Sequence, residues 1–505
     1  MSLQSSGPSA AIITCHNYGR FLRQCLDSLL AQSLPFDHII VVDDASTDDT
    51  AAICAQYAWR GVRYMRGEWR NFTQARRAGL AAIEHKVGRL RFLLFVDSDN
   101  WLSSSFHAQC REAMRDPHVG VAYAPIRYHR EDGTPSGEPD RAEPFDYRRL
   151  RNQNFADACS FVRAEAYEQA GGWRDVVGPT DWLLWLMITR LGWTMQLAPA
   201  ATLHYRRHSA SMSQDFSRAR SVTETNVRVM REGHAVTIVT LFSGRDWNLP
   251  RFIGSLAALD WPRENLRMVA IDNSRDAEFS AWLRRALPLT GIAHIVIEDD
   301  RAITPTHSAG EFADDRDARS RNAYALSAHL ARLYARAREA MPAATDLVWS
   351  IEDDIDVPSD ALDQFCRVLW EHRRAGVISG CVQNRFSSTL IAWAGNWPDY
   401  ERTEKCAPFT VAPPPGAVAP LLNSGLMCTL FRREVWDEIA FRPAPMWNER
   451  RPYYDWAIGR EVARLGWQWL LAGSIRCGHW QRDGTCLRVA PPHARTRSND
   501  TALVA

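Results

Sequence analysis

The sequence predicts an α/β protein made of two copies of one domain, each a mostly parallel sheet flanked by helices. Three observations carry this. "DWLLWLMITRLGW" from Asp181 and "DWAIGREVARLGW" from Asp455 share an opening Asp-Trp and a closing Arg-Leu-Gly-Trp, at one offset of 274 residues (455 − 181 and 467 − 193). "AAIITCHNYGRFLRQCLDSLL" near the start is echoed by "AVTIVTLFSGRDWNLPRFIGSLAAL" from Ala235, each an apolar run, a polar loop and an apolar pattern of helical period. Each copy then enters a second apolar run closed by acid, "HIIVVDDAST" and "RMVAIDNSRD". Strand, helix, strand is the unit from which parallel sheets are built.

The length of 505 residues exceeds one hydrophobic core and fits two domains of roughly 200 to 250 residues. The expected organisation is a disordered leader over 1–9, a first domain over 10–232, a second over 235–488 and a tail over 489–505. Lys and Arg number 60 against 59 Asp and Glu, which gives no general attraction to nucleic acid or anionic membrane. A local basic stretch such as "YRRLRNQN" (147–154) could still contact phosphates.

The eleven cysteines show no CxxC pairs or close Cys/His spacing, which argues against a disulfide framework or a structural zinc site. They read as reduced thiols of a cytoplasmic protein, and "MSLQSSGPSA" shows no secretory signal. The charge-free stretch from Cys406 to Phe431 carries five prolines in "CAPFTVAPPPGAVAPLL" and reads as a long loop, not a membrane span.

Acids just after apolar runs face a ligand in parallel sheets, because ligands sit beyond the carboxyl ends of the strands. Asp44 and Asp272 close the second strand of each copy. The third strand is "RFLLFVDSDN" in one copy and "VWSIEDDID" in the other; superposing them puts Asp97 on Glu352, Ser98 on Asp353 and Asp99 on Asp354. Carboxylates at i and i+2 can hold a hard divalent cation, which prefers oxygen ligands and bridges a diphosphate. An acid closing the second strand can accept from a base or ribose, and equally can make an Asx-turn or helix cap.

These residues resemble the nucleotide-sugar glycosyltransferases of the GT-A fold, particularly the large inverting family 2. The likeness runs through "IITCHNYGRFL", "VVDDASTDDT", "QARRAGLAAI", "LLFVDSDN", "PTDWLLWL" and "LHYRRHSASMS", over most of residues 10 to 215. A more divergent version, over roughly 235 to 482, keeps "TLFSGRDWNLPRFI", "IDNSRD", "RSRNAYAL", "IEDD", "YDW" and "CGHW".

The resemblance implies two tandem GT-A domains in which Thr14 and Asp44 contact a uracil-type base, Arg76 assists the nucleotide, and Asp97 and Asp99 form the DxD element. Thr240, Asp272, Arg321, Glu352 and Asp354 are the implied counterparts. Asp181 and Asp455 match the family's general base, in Thr-Asp and Tyr-Asp settings where Glu-Asp is usual. His204 and His479, downstream of the bases, are candidate metal or diphosphate ligands, with His208 competing in the first copy.

The implied reaction moves a sugar from a nucleotide-diphosphate donor, a UDP-sugar favoured, to an acceptor hydroxyl. The base takes the hydroxyl proton, and Mn2+ or Mg2+ stabilises the departing diphosphate. Both copies retain donor, metal and base residues, which points to two active sites. One catalytic domain beside a nucleotide-sugar or glycan-binding domain is the alternative. A glycan, a lipid-linked glycan, a protein or a hydroxylated base of modified phage DNA would all suit as acceptor. Trp182 and Trp456, beside the proposed bases, are expected at an acceptor pocket, and Gly192 and Gly466 at helix ends.

Overall fold

Parallel strands covered by helices on both faces must be apolar throughout, and the central strands of both halves are of this kind. The computed structural model describes residues 7–176, 178–209, 219–274, 276–299, 316–385, 387–395, 406–442 and 454–489. All but residue 489 of the expected tail, all but residues 7–9 of the leader and the segment 300–315 lie outside them. The chain divides into two compact units, Met1–Gly233 and His234–Ala505.

The first unit contains β1 (Ser9–Cys15), β2 (His38–Asp44), β3 (Val62–Gly67), β4 (Phe92–Asp97), β5 (Trp101–Leu102), β6 (Val119–Tyr123), β7 (Ile126–His129), β8 (Phe161–Arg163), β9 (Thr194–Leu197) and β10 (Leu203–Arg206). Seven of these form one sheet in the order β3-β2-β1-β4-β8-β6-β9, with β8 antiparallel to both neighbours. The small sheet β5-β10-β7 stands apart from it. The chain runs outward from β1 through β2 to β3 and then returns to the other side of β1 as β4. That reversal leaves a crevice beyond the ends of β1 and β4, where α/β sheets bind ligands.

The helix Phe72–Val87 covers this part of the sheet. Asn71 caps it by accepting from the N–H groups of Thr73 and Gln74. Gly79 lets it approach closely: a Cβ there would come within 2.5 Å of Val42 Cγ2 and 2.8 Å of Ile12 Cγ2. The apolar positions Leu22, Leu26 and Leu29 of the helix Gly19–Leu30 fill the core with Ala11, Ile13, Val41 and Val96.

The second unit contains β11 (Val236–Phe242), β12 (Leu266–Asp272), β13 (Ala293–Glu298), β14 (Leu347–Ile351), β15 (Ile355–Asp356), β16 (Ala375–Cys381), β17 (Ala392–Ala394), β18 (Ala407–Pro408), β19 (Val418–Ser424), β20 (Cys428–Arg432), β21 (Gln468–Arg476), β22 (Gly478–Trp480) and β23 (Cys486–Arg488). Its large sheet runs β13-β12-β11-β14-β20-β16-β21-β19-β17-β18 and its small one β15-β22-β23. The first seven strands of the large sheet repeat the order of the first unit. The proline-rich stretch expected as a loop instead holds β18, β19 and part of β20; Pro408 is tolerated because β18 is the edge strand.

The ladders give an independent match between the units. Arg163 faces Phe92 and Arg432 faces Leu347 in the antiparallel pairs β8–β4 and β20–β14. Phe92 therefore corresponds to Leu347 and, along the strands, Asp97 to Glu352 and Asp99 to Asp354. On the other side, Ser9 faces Phe92 and Val236 faces Leu347. This makes Leu241, not Thr240, the counterpart of Thr14. Cys15 faces Asp43 and Phe242 faces Asp272, so Asp272 corresponds to Asp43, and Asn273 to Asp44. Pairing Thr240 and Asp272 with Thr14 and Asp44 is thus out of register by one residue, and one residue turns a side chain to the opposite face.

Candidate active site

Six residues singled out in the first copy line one cavity of about 750 Å³: Thr14 from β1, Asp44 from β2, Arg76 from the Phe72–Val87 helix, Asp97 and Asp99 at the end of β4, and Asp181. The helix Thr180–Arg190 carries Asp181 in its first turn.

Arg76 is buried, and its Nη2 donates to Asp97 Oδ1 at 2.6 Å while its guanidinium lies 4.4 Å from the Trp173 ring centre. The cation thus holds one acid of the pair in place. Asp99 is held differently: His208 Nε2 lies 2.9 Å from Asp99 Oδ2. Tyr18 and Phe21 enclose the His208 ring at 5.1 and 5.0 Å. Burial raises the Asp99 carboxyl above its ordinary range; the His208 contact opposes this and the charge of Asp97 adds to it.

His204 is not near Asp99 in this way. Its Nδ1 meets His129 Nε2 at 2.9 Å and its ring stacks on Trp101 at 5.1 Å, inside the small sheet. Of the two histidines weighed in the first copy, His208 is the one that touches Asp99. The difference follows from β10, which pairs His204 with Trp101 and leaves the chain to carry His208 back over the end of β4.

Asp44 lines the cavity, but its carboxylate already accepts three backbone N–H groups, from Trp69 and Arg70 at Oδ1 and from Asn71 at Oδ2. It fixes the turn that precedes the Phe72–Val87 helix. Arg70 is held there at φ +49°, a left-handed conformation uncommon outside glycine. A carboxylate has about four acceptor positions, so one remains for a ligand.

Asp181 accepts from Asn154 Nδ2 at 2.8 Å. Burial raises its carboxyl above the ordinary range, with the Trp182 N–H, Asn154 and Arg76 opposing and Asp97 adding to the rise. A raised carboxylate is a stronger base where it is ionised. Trp182 itself does not reach the cavity: it is fully buried and its Nε1 donates to Leu150 O. Its place in a pocket-lining helix turn gave no sign of this, because helix neighbours one position apart point in different directions.

Asp157 also lines the cavity and was not legible in the sequence. Burial, aided by the charge of Asp97, raises its carboxyl to about 7. Ligand atoms of Asp97, Asp157 and Cys159 lie within 4.8 Å of one another. The acid-rich wall made by Asp97, Asp99 and Asp157 offers hard oxygen donors of the kind Mn2+ or Mg2+ prefers.

The second unit differs at the equivalent place. Asp353 Oδ1 pairs with Arg245 Nη1, and Asp353 Oδ2 accepts from the Ser243 N–H at 3.1 Å. Asp354 Oδ2 pairs with Arg385 Nη2 and lies 3.3 Å from Arg245 Nε. Asp356 pairs with Arg488. Burial raises the Glu352 carboxyl, with Arg245 opposing, Asp353 adding and Arg385 opposing again.

His479 Nδ1 lies 2.8 Å from Gln383 O, and Arg385 Nε donates to its Nε2 at 2.7 Å. Burial lowers its pKa to about 4, the Gln383 bond opposing and Arg385 and Arg245 assisting, so the ring is a neutral acceptor. In the ladder His479 faces Ile355 while His204 faces Trp101; with Trp101 matching Asp356, it is Gly478 that corresponds to His204.

Thr240 is fully buried within β11, and its Oγ1 has no hydrogen-bond partner among the described residues. Asp272 Oδ1 is taken by the N–H and hydroxyl of Ser274. Arg321 and Asp455 lie in the helices Arg316–Glu339 and Tyr454–Arg464, and their side chains fall outside the described set. Trp456 is half-buried with its ring 6.0 Å from Trp393.

Residues 10–169 match the family model described as Glycosyl transferase family 2. An uncharacterized protein of Mycobacterium tuberculosis (strain CDC 1551 / Oshkosh) is 32% identical over 160 residues, 30% of this chain and 48% of the relative. Another from the same species (strain ATCC 25618 / H37Rv) is 26% identical over 202 residues, 38% and 57% of the two chains. Glycosyltransferase GlyA of Streptococcus pneumoniae is 32% identical over 97 residues, 19% of this chain and 13% of GlyA. The chain spans about half the length of the first two relatives. Among solved structures, TarS 1–349 of Staphylococcus aureus in complex with UDP gives a TM-score of 0.35 at 17% identity, covering 44% of this chain and 64% of that one. The mannosyltransferase PcManGT of Pyrobaculum calidifontis in complex with GDP-Man and Mn2+ gives 0.36 at 19%, covering 45% and 66%. No helix among the described residues is long and apolar enough to cross a membrane.

Proposed function

We propose, taking the family 2 segment at residues 10–169 as the premise, that the first unit transfers a sugar from a nucleotide-diphosphate donor to an acceptor hydroxyl. The observation that carries this reading is the convergence of Thr14, Asp44, Arg76, Asp97, Asp99 and Asp181 from separate elements on one cavity at the carboxyl ends of β1, β2 and β4. A UDP-sugar is the favoured donor.

Asp181 is the proposed base. It stands in the cavity wall with Asn154 orienting one oxygen, and it takes the acceptor's proton as the hydroxyl attacks the anomeric carbon. Attack from the face opposite the leaving diphosphate gives inversion. Thr14 and the open acceptor position of Asp44 receive the base and ribose side of the donor, and Arg76 keeps Asp97 oriented toward the diphosphate. A divalent cation, Mn2+ or Mg2+, would be held by Asp99, supported by Asp97 and Asp157, and when bound supplies positive charge for the departing diphosphate. His208 keeps Asp99 aimed from behind.

The alternative of one catalytic unit beside a non-catalytic one is favoured by the arginines that already pair with Asp353 and Asp354 in the second unit. The test is a panel of UDP- and GDP-sugars with glycan, lipid-linked, protein and hydroxymethylated-DNA acceptors, read by mass spectrometry. Asp181→Asn should abolish the product while leaving UDP binding intact. Transfer that survives in Asp181→Asn would remove this residue from the reaction.

A further inference from the structure

A divalent cation at a DxD element needs carboxylate oxygens that are free to turn toward it. In the second unit Asp354 Oδ2, with Asp353 Oδ1 beside it, faces fixed cations instead. Asp354 is fully buried, and its Oδ2 is shared by Arg385 Nη2 and Arg245 Nε; Arg245 Nη1 also reaches Asp353. The arginines are not mobile surface groups that happened to settle there. Arg385 is tied at Nε to His479 Nε2, and at Nη2 also to Trp480 O at 3.3 Å. His479 is in turn fixed by Gln383 O at 2.8 Å, and the Trp480 N–H donates to Asp354 O at 3.0 Å. On the other side Asn248 Nδ2 donates to Asp353 O at 2.9 Å, anchoring the loop after β11 that carries Arg245.

Among the described residues, the first unit shows no such arrangement at the matching place. There Asp97 is met by one arginine, from the helix behind the strand, and Asp99 by a histidine. An ion entering the second unit would place two positive charges against two guanidiniums already bonded to Asp354 Oδ2 and Asp353 Oδ1.

We propose that the second unit binds no divalent cation, because Arg245 and Arg385 stand permanently where its carboxylates would hold one, so that metal binding by the chain is confined to the first unit. The second half of this statement rests on the proposed function; the first half does not. The arginines thereby fix the loops after β11 and β16 around the acid cluster without any ion.

The experiment titrates Mn2+ into the full chain with UDP present, and free ion is read by electron paramagnetic resonance. The wild type should bind about one ion per chain, lost in Asp99→Asn and kept in Asp354→Asn. The double variant Arg245→Ala/Arg385→Ala should gain about one further ion, because it frees Asp353 Oδ1 and Asp354 Oδ2; adding Asp354→Asn should remove it again. An ion lost from the wild type on Asp354→Asn would overturn the inference. So would a folded double variant, checked by circular dichroism, that gains none. If the double variant does not fold, the Asp354→Asn comparison alone decides. A wild type with no bound ion, together with a gain in the double variant, would defeat the proposed metal role of Asp99 and leave the second unit's exclusion standing.

Discussion

His208 Nε2 lies 2.9 Å from Asp99 Oδ2, with the imidazole enclosed by Tyr18 and Phe21. In the metal role proposed for Asp99, the contact aims its carboxylate from behind, in the way outer partners orient ligands at metal sites. His208→Ala should therefore weaken Mn2+ binding by about 10- to 100-fold in a UDP-containing titration. His204→Ala should leave that affinity unchanged and lower the melting temperature, since His204 bonds His129 and stacks on Trp101. The reverse pattern would return the ligand role to His204.

Asn154 donates to Asp181 Oδ2 and so favours the ionised carboxylate, while burial disfavours it. As the proposed base, Asp181 works only when ionised, so activity should fall as pH drops through its raised pKa, above the ordinary carboxylate range. Asn154→Leu removes an opposing interaction and should raise that pKa further. The acid limb of the kcat profile should move to higher pH, with activity recovering at alkaline pH. An unmoved limb would mean that another group sets it, Asp157, whose carboxyl burial raises to about 7, being one such group in the cavity wall.

The packing that delivers Arg76 to Asp97 depends on Gly79, one turn further along the same helix. An alanine Cβ there meets Val42 and Ile12 well inside contact distance. Gly79→Ala should cost about 1–3 kcal/mol by overpacking, although alanine is the better helix former. Chemical denaturation checks this. A stability at or above the wild type would show that the helix can move outward, and donor affinity would then report whether Arg76 moved with it.

How far the sequence could carry the site depended on which neighbours were needed. Strand ends were readable, because an apolar run closed by acid places that acid beyond the sheet whatever else the chain does; Asp44, Asp97 and Asp272 do end their strands. Helix ends were equally local: Gly192 and Gly466 follow the helices at φ +93° and +80°, where a left-handed residue closes the last turn. Register was not readable. Both faces of β1 and β11 are apolar, so nothing in their pattern marks which residue faces the ligand, and Thr240 took the place that belongs to Leu241. Contacts across long separations were also out of reach. Arg385 meets Asp354 only because β16 and β20 bring the two loops together, and no spacing in the chain announces a guanidinium in place of a metal ion.

The register shift separates two threonines that look alike in sequence. Thr14 lines the cavity; Thr240, matched by the ladders to Ile13, is sealed within β11 with a hydroxyl that has no partner among the described residues. A buried hydroxyl without a partner carries its desolvation cost with no return, and valine has the same shape without it. Thr240→Val should therefore stabilise the second unit by about 1 kcal/mol and leave UDP affinity untouched. Thr14→Val should do the opposite, lowering UDP affinity with little change in melting temperature. Thermal denaturation and UDP titration of the two variants side by side decide the matter. A loss of nucleotide binding in Thr240→Val would mean that β11 presents Thr240 to a ligand after all, and that the two units are to be matched by their sequences and not by their ladders.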